Sequence, residues 1–465
     1  MRLVICICVL APLEILAKAN KRVIGVLFLT GLAVGASCIP DESRKPPAKS
    51  VHKADVLTVF LTGNELGALK PCGCSGGQLG GFDRRPAVFN SVPGQRRLII
   101  DTGRFIEGDS EQDLIKFDII IQAFSRLDYD LVNLAEKDIE IAENLGLLDS
   151  IGSVFNVISS HGPADVNVPA KFTKKFLLKN KTVAVTVAAF DAESGRMEQI
   201  GKLFAPRSNL QTVNILILNR CDAGIIRSIA ERGIVDCLVC PAESDEAMVI
   251  GDPNKKPLVV SVGRYGRYVG KLQIRAGGAR DKLNLSFLPV PVTEDLPQSK
   301  FLVELYKDYQ QFVKEANLLE KHQHQRFALP NGLEYTGSES CKPCHEYEYE
   351  KWVSGAHAHA YATLERVGSA FDPECVVCHV VGMEYVSGFV SAAKTGYLKN
   401  VGCESCHGPG SEHIRTLGKA KTTGARLACA DCHTPETSGD YGGNEELYFE
   451  KIIHWREPNA GGDVK

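Results

Sequence analysis

The sequence predicts two domains of different build: an α/β domain over residues 55–292, and a mainly helical, irregular domain over 333–465. Three observations carry that expectation. Short apolar runs of strand length alternate with amphipathic stretches through the first region. Beyond residue 333 those runs stop, and Cys, His and Gly take over. Eight of the sixteen cysteines lie after residue 340, in four copies of one pattern.

The N-terminus reads as an export signal. In "NKRVIGVLFLTGLAVGASC", Lys21 and Arg22 precede an apolar stretch, and small residues precede Cys38. The apolar run, about 15 residues, is shorter than the ~20 a spanning helix needs. Residues 1–38 are therefore expected to be a signal peptide, and they resemble the bacterial lipoprotein type, in which Cys38 is the lipidated residue. A retained membrane helix is the other reading. Both place the rest of the chain outside the cytoplasm, periplasmic or at the cell surface. Residues 39–54, polar and proline-containing, read as a linker.

Strand-length runs follow in order: "LTVFL", "RLIIDT", "YDLVNLA", "TVAVTVAAF", "VNILILN", "VDCLVC" and "PLVVSVG". "DLIKFDIIIQAFSRL" and "AGIIRSIAERG" are amphipathic helices between them. Residues 293–332 include "FLVELYKDYQQFVKEANLLEKHQ", expected as a connecting helix. The formal net charge of −3 gives no basic field, which excludes nucleic acid as a partner.

The repeated pattern is "CKPCH" (Cys341, Cys344, His345), "CVVCH" (Cys375, Cys378, His379), "CESCH" (Cys403, Cys406, His407) and "CADCH" (Cys429, Cys432, His433). Cys-x-x-Cys-His is the c-type haem attachment motif: two thiols bond the vinyl groups and the adjacent His ligates the iron. Zinc sites and disulfide frameworks do not explain a His directly after every pair. Four covalent c-type haems are expected, and no second metal is assigned. The porphyrins are expected to supply much of the packing in so short a domain.

Six further histidines after residue 320 are candidates for the distal positions: His322, His324, His357, His359, His413 and His454. Local pairs are disfavoured, because a distal ligand approaches the opposite ring face. Hence His413 is expected to serve a haem other than the one on His407. Met383 reads as a packing residue.

The blocks "CKPCHEYEYEKWVSGAHAHA", "CVVCHVVGMEYVSGF", "VGCESCHGPGSEH" and "CADCH" with a late "IIHW" resemble the tetrahaem cytochrome c-554 family over about 335–456. The resemblance implies close haem pairs, mostly bis-histidine and electron-transferring, with one five-coordinate haem in the founding member. It assigns distal roles to His357, His413 and His454. That leaves three distal ligands for four haems unless His322, His324 or His359 supplies another.

The front region also has a resemblance. "VFLTGNELGAL", "LGGFDRRPAVFNSV", "LIIDTGRFIEGD", "LDYDLVNLAEKDIE", "FNVISS" and "PLVVSVGRYGRYVGKLQI" are similar to the calcineurin-like metallophosphatase domain of 5′-nucleotidases. That implies a β-sandwich flanked by helices. The family's metal-ligand positions correspond here to Asn64, Leu66, Arg104, Glu136 and Lys137, and near Arg220 or Cys221. The later Gly-His-x-His is replaced around "CPAES". Cationic Arg104 and Lys137 repel metals, so phosphoester hydrolysis is not expected. Cys72, Cys74, Cys221 and Cys240 fall at strand ends. They are a candidate thiol site, with structural disulfides, a redox site and a thiolate metal site as the alternatives. Cys237 reads as a core thiol.

The chain thus reads as an electron-transfer protein rather than an enzyme. Its phosphatase-like domain would be a non-hydrolytic docking module, and redox proteins or quinol-linked donors its partners. A haem enzyme acting on a small nitrogen compound and a phosphohydrolase are the alternatives.

Overall fold

The computed structural model describes residues 56–71, 77–161, 168–179, 181–204, 211–241, 243–276, 283–321, 326–425, 427–434 and 437–455. Cys38, Cys72, Cys74, His322 and His324 lie outside them. The described chain forms two compact units. The first comprises the residues through Gly67, Arg85–Glu107 and Phe124–Val292; the second comprises Ala68–Arg84, Gly108–Ala123 and everything from Thr293. The expected domain 55–292 is therefore interrupted, because two of its segments belong to the second unit. The segment 293–332 is likewise part of that unit rather than a bare connector.

In the first unit the strands run β1 (Val56–Thr62), β2 (Arg97–Asp101), β3 (Leu131–Asn133) and β4 (Asn156–Ile158). Next come β5 (Lys171–Leu178), β6 (Lys181–Phe190), β7 (Gln211–Leu218), β8 (Cys237–Cys240), β9 (Met248–Val249) and β10 (Leu258–Ser261). Finally β11 (Tyr268–Ala276) and β12 (Leu283–Pro291) form a hairpin. They make two six-stranded sheets, in the orders β12-β11-β1-β2-β3-β4 and β5-β6-β7-β8-β10-β9. Strands β1 to β4 are parallel neighbours, as are β6, β7, β8 and β10.

Alternation explains the sandwich. Leu57, Val59 and Leu61 of β1 share one apolar cluster with Val183, Val185 and Val187 of β6 and Val213, Ile215 and Ile217 of β7. The other residues of β6, β7 and β8, including Ala188, Leu216, Leu218, Leu238 and Cys240, face a second cluster with Ile229 of the helix Ala223–Arg232. Strands covered on both faces read as continuous apolar runs, which is how they appear in the sequence. Cys237 is buried between the sheets.

In the second unit the helix Lys300–Ala316 buries Leu302, Leu305, Tyr309 and Val313, a helical stripe, and ends at left-handed Asn317. A core of ten buried side chains runs from Leu319 to Leu398, centred on Tyr361, Val376, Val380 and Phe389. Protein therefore supplies a core of its own over this stretch, whose buried members run no further than Leu398. No helix of the described residues is long and apolar enough to cross a membrane.

Candidate functional sites

Three imidazole pairs cross the second unit. His345 faces His413 with ring centres 6.0 Å apart and planes at 25°. His357 faces His433 at 6.2 Å and 41°, and His407 faces His454 at 5.9 Å and 84°. Two imidazoles bound through nitrogen on opposite sides of one iron, each about 2 Å from it, have ring centres on the order of 6 Å apart. Each pair joins a motif histidine to one outside the motifs. The residues therefore fit covalent haem, which supplies one-electron transfer when bound.

Second partners fix which ring nitrogen is free. Nδ1 of His413 donates to the Ala420 carbonyl at 2.8 Å, and that of His454 to the Ile452 carbonyl at 2.8 Å. His379 donates through Nδ1 to the Ala360 carbonyl at 2.6 Å, while His433 Nδ1 meets the Ser438 hydroxyl at 2.8 Å. A carbonyl only accepts, so Nδ1 carries the proton and Nε2 stays available for metal. Among the described residues no second imidazole faces His379. His359 is exposed, and Met383 packs against the core.

Short helical turns place the thiols. Cys403–His407 and Cys429–Cys432 are single helical turns, and Asp372 caps the turn Pro373–Val376 by accepting from Glu374 N. Residues three apart on such a turn lie on one side, so both thiols of a motif face the same way. Thiols of different motifs also approach one another: Cys341 lies beside Cys403, and Cys378 beside Cys432.

Glu404, inside the third motif, went unassigned in the sequence. It is 3 % exposed. Its carboxylate accepts from Thr336 N at 3.0 Å, Gly337 N at 2.7 Å and Gly410 N at 2.8 Å. It thus ties the third motif both to the approach of the first motif and to the helix Ser411–Arg415, which carries His413. Gly408, at φ +81°, permits this turn; a Cβ there would lie 2.3 Å from the Gly424 carbonyl. Trp352 Nε1 donates to the Val401 carbonyl at 2.9 Å, pinning the segment before His357.

In the first unit, the loops after β1, β2 and β3 converge. Asn64 N donates to the Gly103 carbonyl at 2.8 Å and Leu66 N to the Arg104 carbonyl at 3.2 Å. Asp138 accepts from Arg104 N at 2.8 Å, Phe105 N at 2.9 Å and Ala135 N at 3.0 Å. Burial pushes its carboxyl up to about 7 despite these donors. Asn64, Leu66 and Arg104 are all left-handed, at φ 54°, 50° and 66°. Such backbone costs about 1–3 kcal/mol per residue away from glycine.

The side chains on this backbone do not suit a metal pair. Asn64 spends its amide on the Gly263 carbonyl at 3.1 Å, Leu66 has no donor atom, and Lys137 pairs with Glu140 at 3.1 Å. Arg104 is exposed and cationic. Behind the loops, Arg85 forms a buried ion pair with Glu65 at 2.8 Å and donates to the Tyr129 hydroxyl at 3.0 Å. His161 pairs with Asp191 at 3.0 Å.

The thiol candidates divide. Cys221 and Cys240 form a disulfide with Cα atoms 5.6 Å apart, joining the end of β8 to the loop after β7. Cys72 and Cys74 lie outside the described residues.

These features fit a unit built for c-type haem attachment. Residues 340–408 match the family described as cytochrome c554 and c-prime. Cytochrome c-554 of Nitrosomonas europaea is 33% identical over 91 residues, which is 16% of this chain and 39% of that protein. The chain thus spans about two fifths of the length of the curated relative it matches. The calcineurin-like phosphoesterase YfkN of Bacillus subtilis is 12% identical, covering 55% of this chain and 97% of that one, with a TM-score of 0.42. A 5′-nucleotidase precursor of Thermus thermophilus is 16% identical over 67% of this chain and 68% of its own, also at 0.42.

Proposed function

We propose that the protein is an exported tetrahaem cytochrome passing electrons through haems held at Cys341/Cys344, Cys375/Cys378, Cys403/Cys406 and Cys429/Cys432. His345, His379, His407 and His433 are the proximal ligands. His413, His454 and His357 are the distal ligands on the irons of His345, His407 and His433. The observation that carries this is the set of three imidazole pairs at bis-ligation spacing, each made from distant parts of the chain. The thiol contacts between motifs one and three, and two and four, support close haem pairs within one relay. Haem quantitation on the purified protein tests the count: four per chain is expected, and fewer contradicts it.

The first unit serves as a non-hydrolytic docking module for a redox partner, protein or quinol-linked. Its loops keep the ligand-bearing backbone while Leu66, Arg104 and Lys137 replace donors. A phosphoester assay with added manganese checks this; metal-dependent turnover sinks it. Residues 1–38 direct export, with Cys38 as lipid anchor to a bacterial membrane. Mass spectrometry of the mature N-terminus reads that directly.

A second reading has one specific support. His379 faces no second imidazole among the described residues, and His322 and His324 lie outside them; a haem left with an open face there would bind a small nitrogen compound. Binding of nitric oxide to the untreated protein distinguishes catalyst from carrier.

A further inference from the structure

The helix Glu111–Arg126 sends two residues, one turn apart, to the stretch that carries the second motif. Gln112 Nε2 lies 2.8 Å from Asp372 Oδ1 and 2.8 Å from the Tyr309 hydroxyl. Lys116 Nζ pairs with Glu374 Oε1. All five residues belong to the second compact unit. Asp372 caps the turn on which Cys375 sits, and Glu374 is the residue beside that cysteine. The Lys116 side chain is 8% exposed, so its charge is weakly screened, whereas that of Glu374 is 54% exposed.

Both charges are felt at the attachment sulfur. Burial first, then Asp372 and Glu374, push the Cys375 thiol up to about 12, and Lys116 opposes them. The same field acts on whatever that sulfur carries. Reduction of a haem adds one negative charge to it, so a nearby cation favours the reduced form and a nearby anion the oxidised form.

We propose that Lys116 and Glu374 are a charge pair that positions and sets the reduction potential of the haem held by Cys375, Cys378 and His379. The proposal rests on the reading that a haem is held there. Lys116 lies far outside the segment that carries the motifs, so the tuning residue is supplied by another part of the chain. Within the intact pair the two effects offset.

The test is an optical redox titration of the full-length holoprotein, resolved into its haem components. Lys116→Met is expected to lower the midpoint of one component, and Glu374→Gln to raise the midpoint of the same component. The double variant K116M/E374Q returns it close to the starting value, and Lys116→Arg leaves it unchanged. A role in folding alone would move both single variants the same way. Shifts of one sign, a shift shared by all components, or no shift overturns the charge pair. Haem quantitation separates the underlying reading: if Cys375→Ala with Cys378→Ala leaves the haem count of the full chain unchanged, no haem is held there and both ideas fall.

Discussion

His345 and His413 face each other at 6.0 Å with nearly parallel rings, although one belongs to the first motif and the other lies just beyond the third. A contact of this kind staples the order of the chain into the order of the haems. Replacing His413 with Ala is expected to convert one low-spin haem to high spin and leave the others unchanged. His357→Ala and His454→Ala should each do the same for a different haem. His359→Ala should change nothing. Magnetic circular dichroism of the four variants reads each outcome.

Glu404 holds three backbone N–H groups from two segments. Removing a buried acceptor strands its donors at about 1–3 kcal/mol. Glu404→Ala is expected to lower the unfolding free energy of the second unit by about 3 kcal/mol and to raise the high-spin fraction, because His413 loses its support. Denaturant unfolding followed at the haem absorption band measures both. Glu404→Gln should fall between the two, since its single oxygen can serve only part of the set.

Asp138 gives the first unit a pH dependence of definite sign. Its folded value, about 7, lies above the ordinary carboxylate value because the site is buried. Between about pH 4 and about pH 7 the folded protein therefore keeps a proton that the unfolded chain has released. Stability from this group falls as pH rises through that window, and is level beyond it. Hydrogen exchange of β1 to β3 amides should show less protection at pH 8 than at pH 5, with the difference reduced in Asp138→Asn. Equal slopes in the two proteins would contradict the assignment.

The Cys221–Cys240 disulfide closes a loop of 19 residues in sequence separation. Loops of that size gain on the order of 3 kcal/mol from cross-linking, by restriction of the unfolded chain. Cys221→Ser with Cys240→Ser should lower the first unit's unfolding free energy by about that much. The absorption spectrum of the haem unit should not change.

Apolar runs of strand length made the buried strands legible, and the sandwich came from the resemblance; in the structure β1, β6 and β7 each put alternate residues into one inter-sheet cluster. The motif thiols and histidines were legible for a covalent reason: attachment chemistry fixes their spacing in the chain. Which histidine meets which is a different matter. His357 pairs with His433, not with the motif nearest in sequence, and nothing in local spacing encodes that choice. The membership of Gly108–Ala123 in the second unit was hidden for a similar reason. The helix Glu111–Arg126 follows β2 as a helix of an α/β domain would, and its polar residues Gln112 and Lys116 gave no periodic signal of their partners. Glu404 sat inside a motif whose intervening residues carry no rule.

The most direct measurement is an electron paramagnetic resonance spectrum of the purified, oxidised, full-length protein with haem content determined on the same sample. At least three low-spin bis-imidazole signals in equal amounts are the predicted result, and the spin state of the fourth haem reads whether His379 has a partner. Four low-spin signals would place a ligand opposite His379 and contradict the open face. More than one high-spin signal would contradict the pairing of His345 with His413, His433 with His357, and His407 with His454.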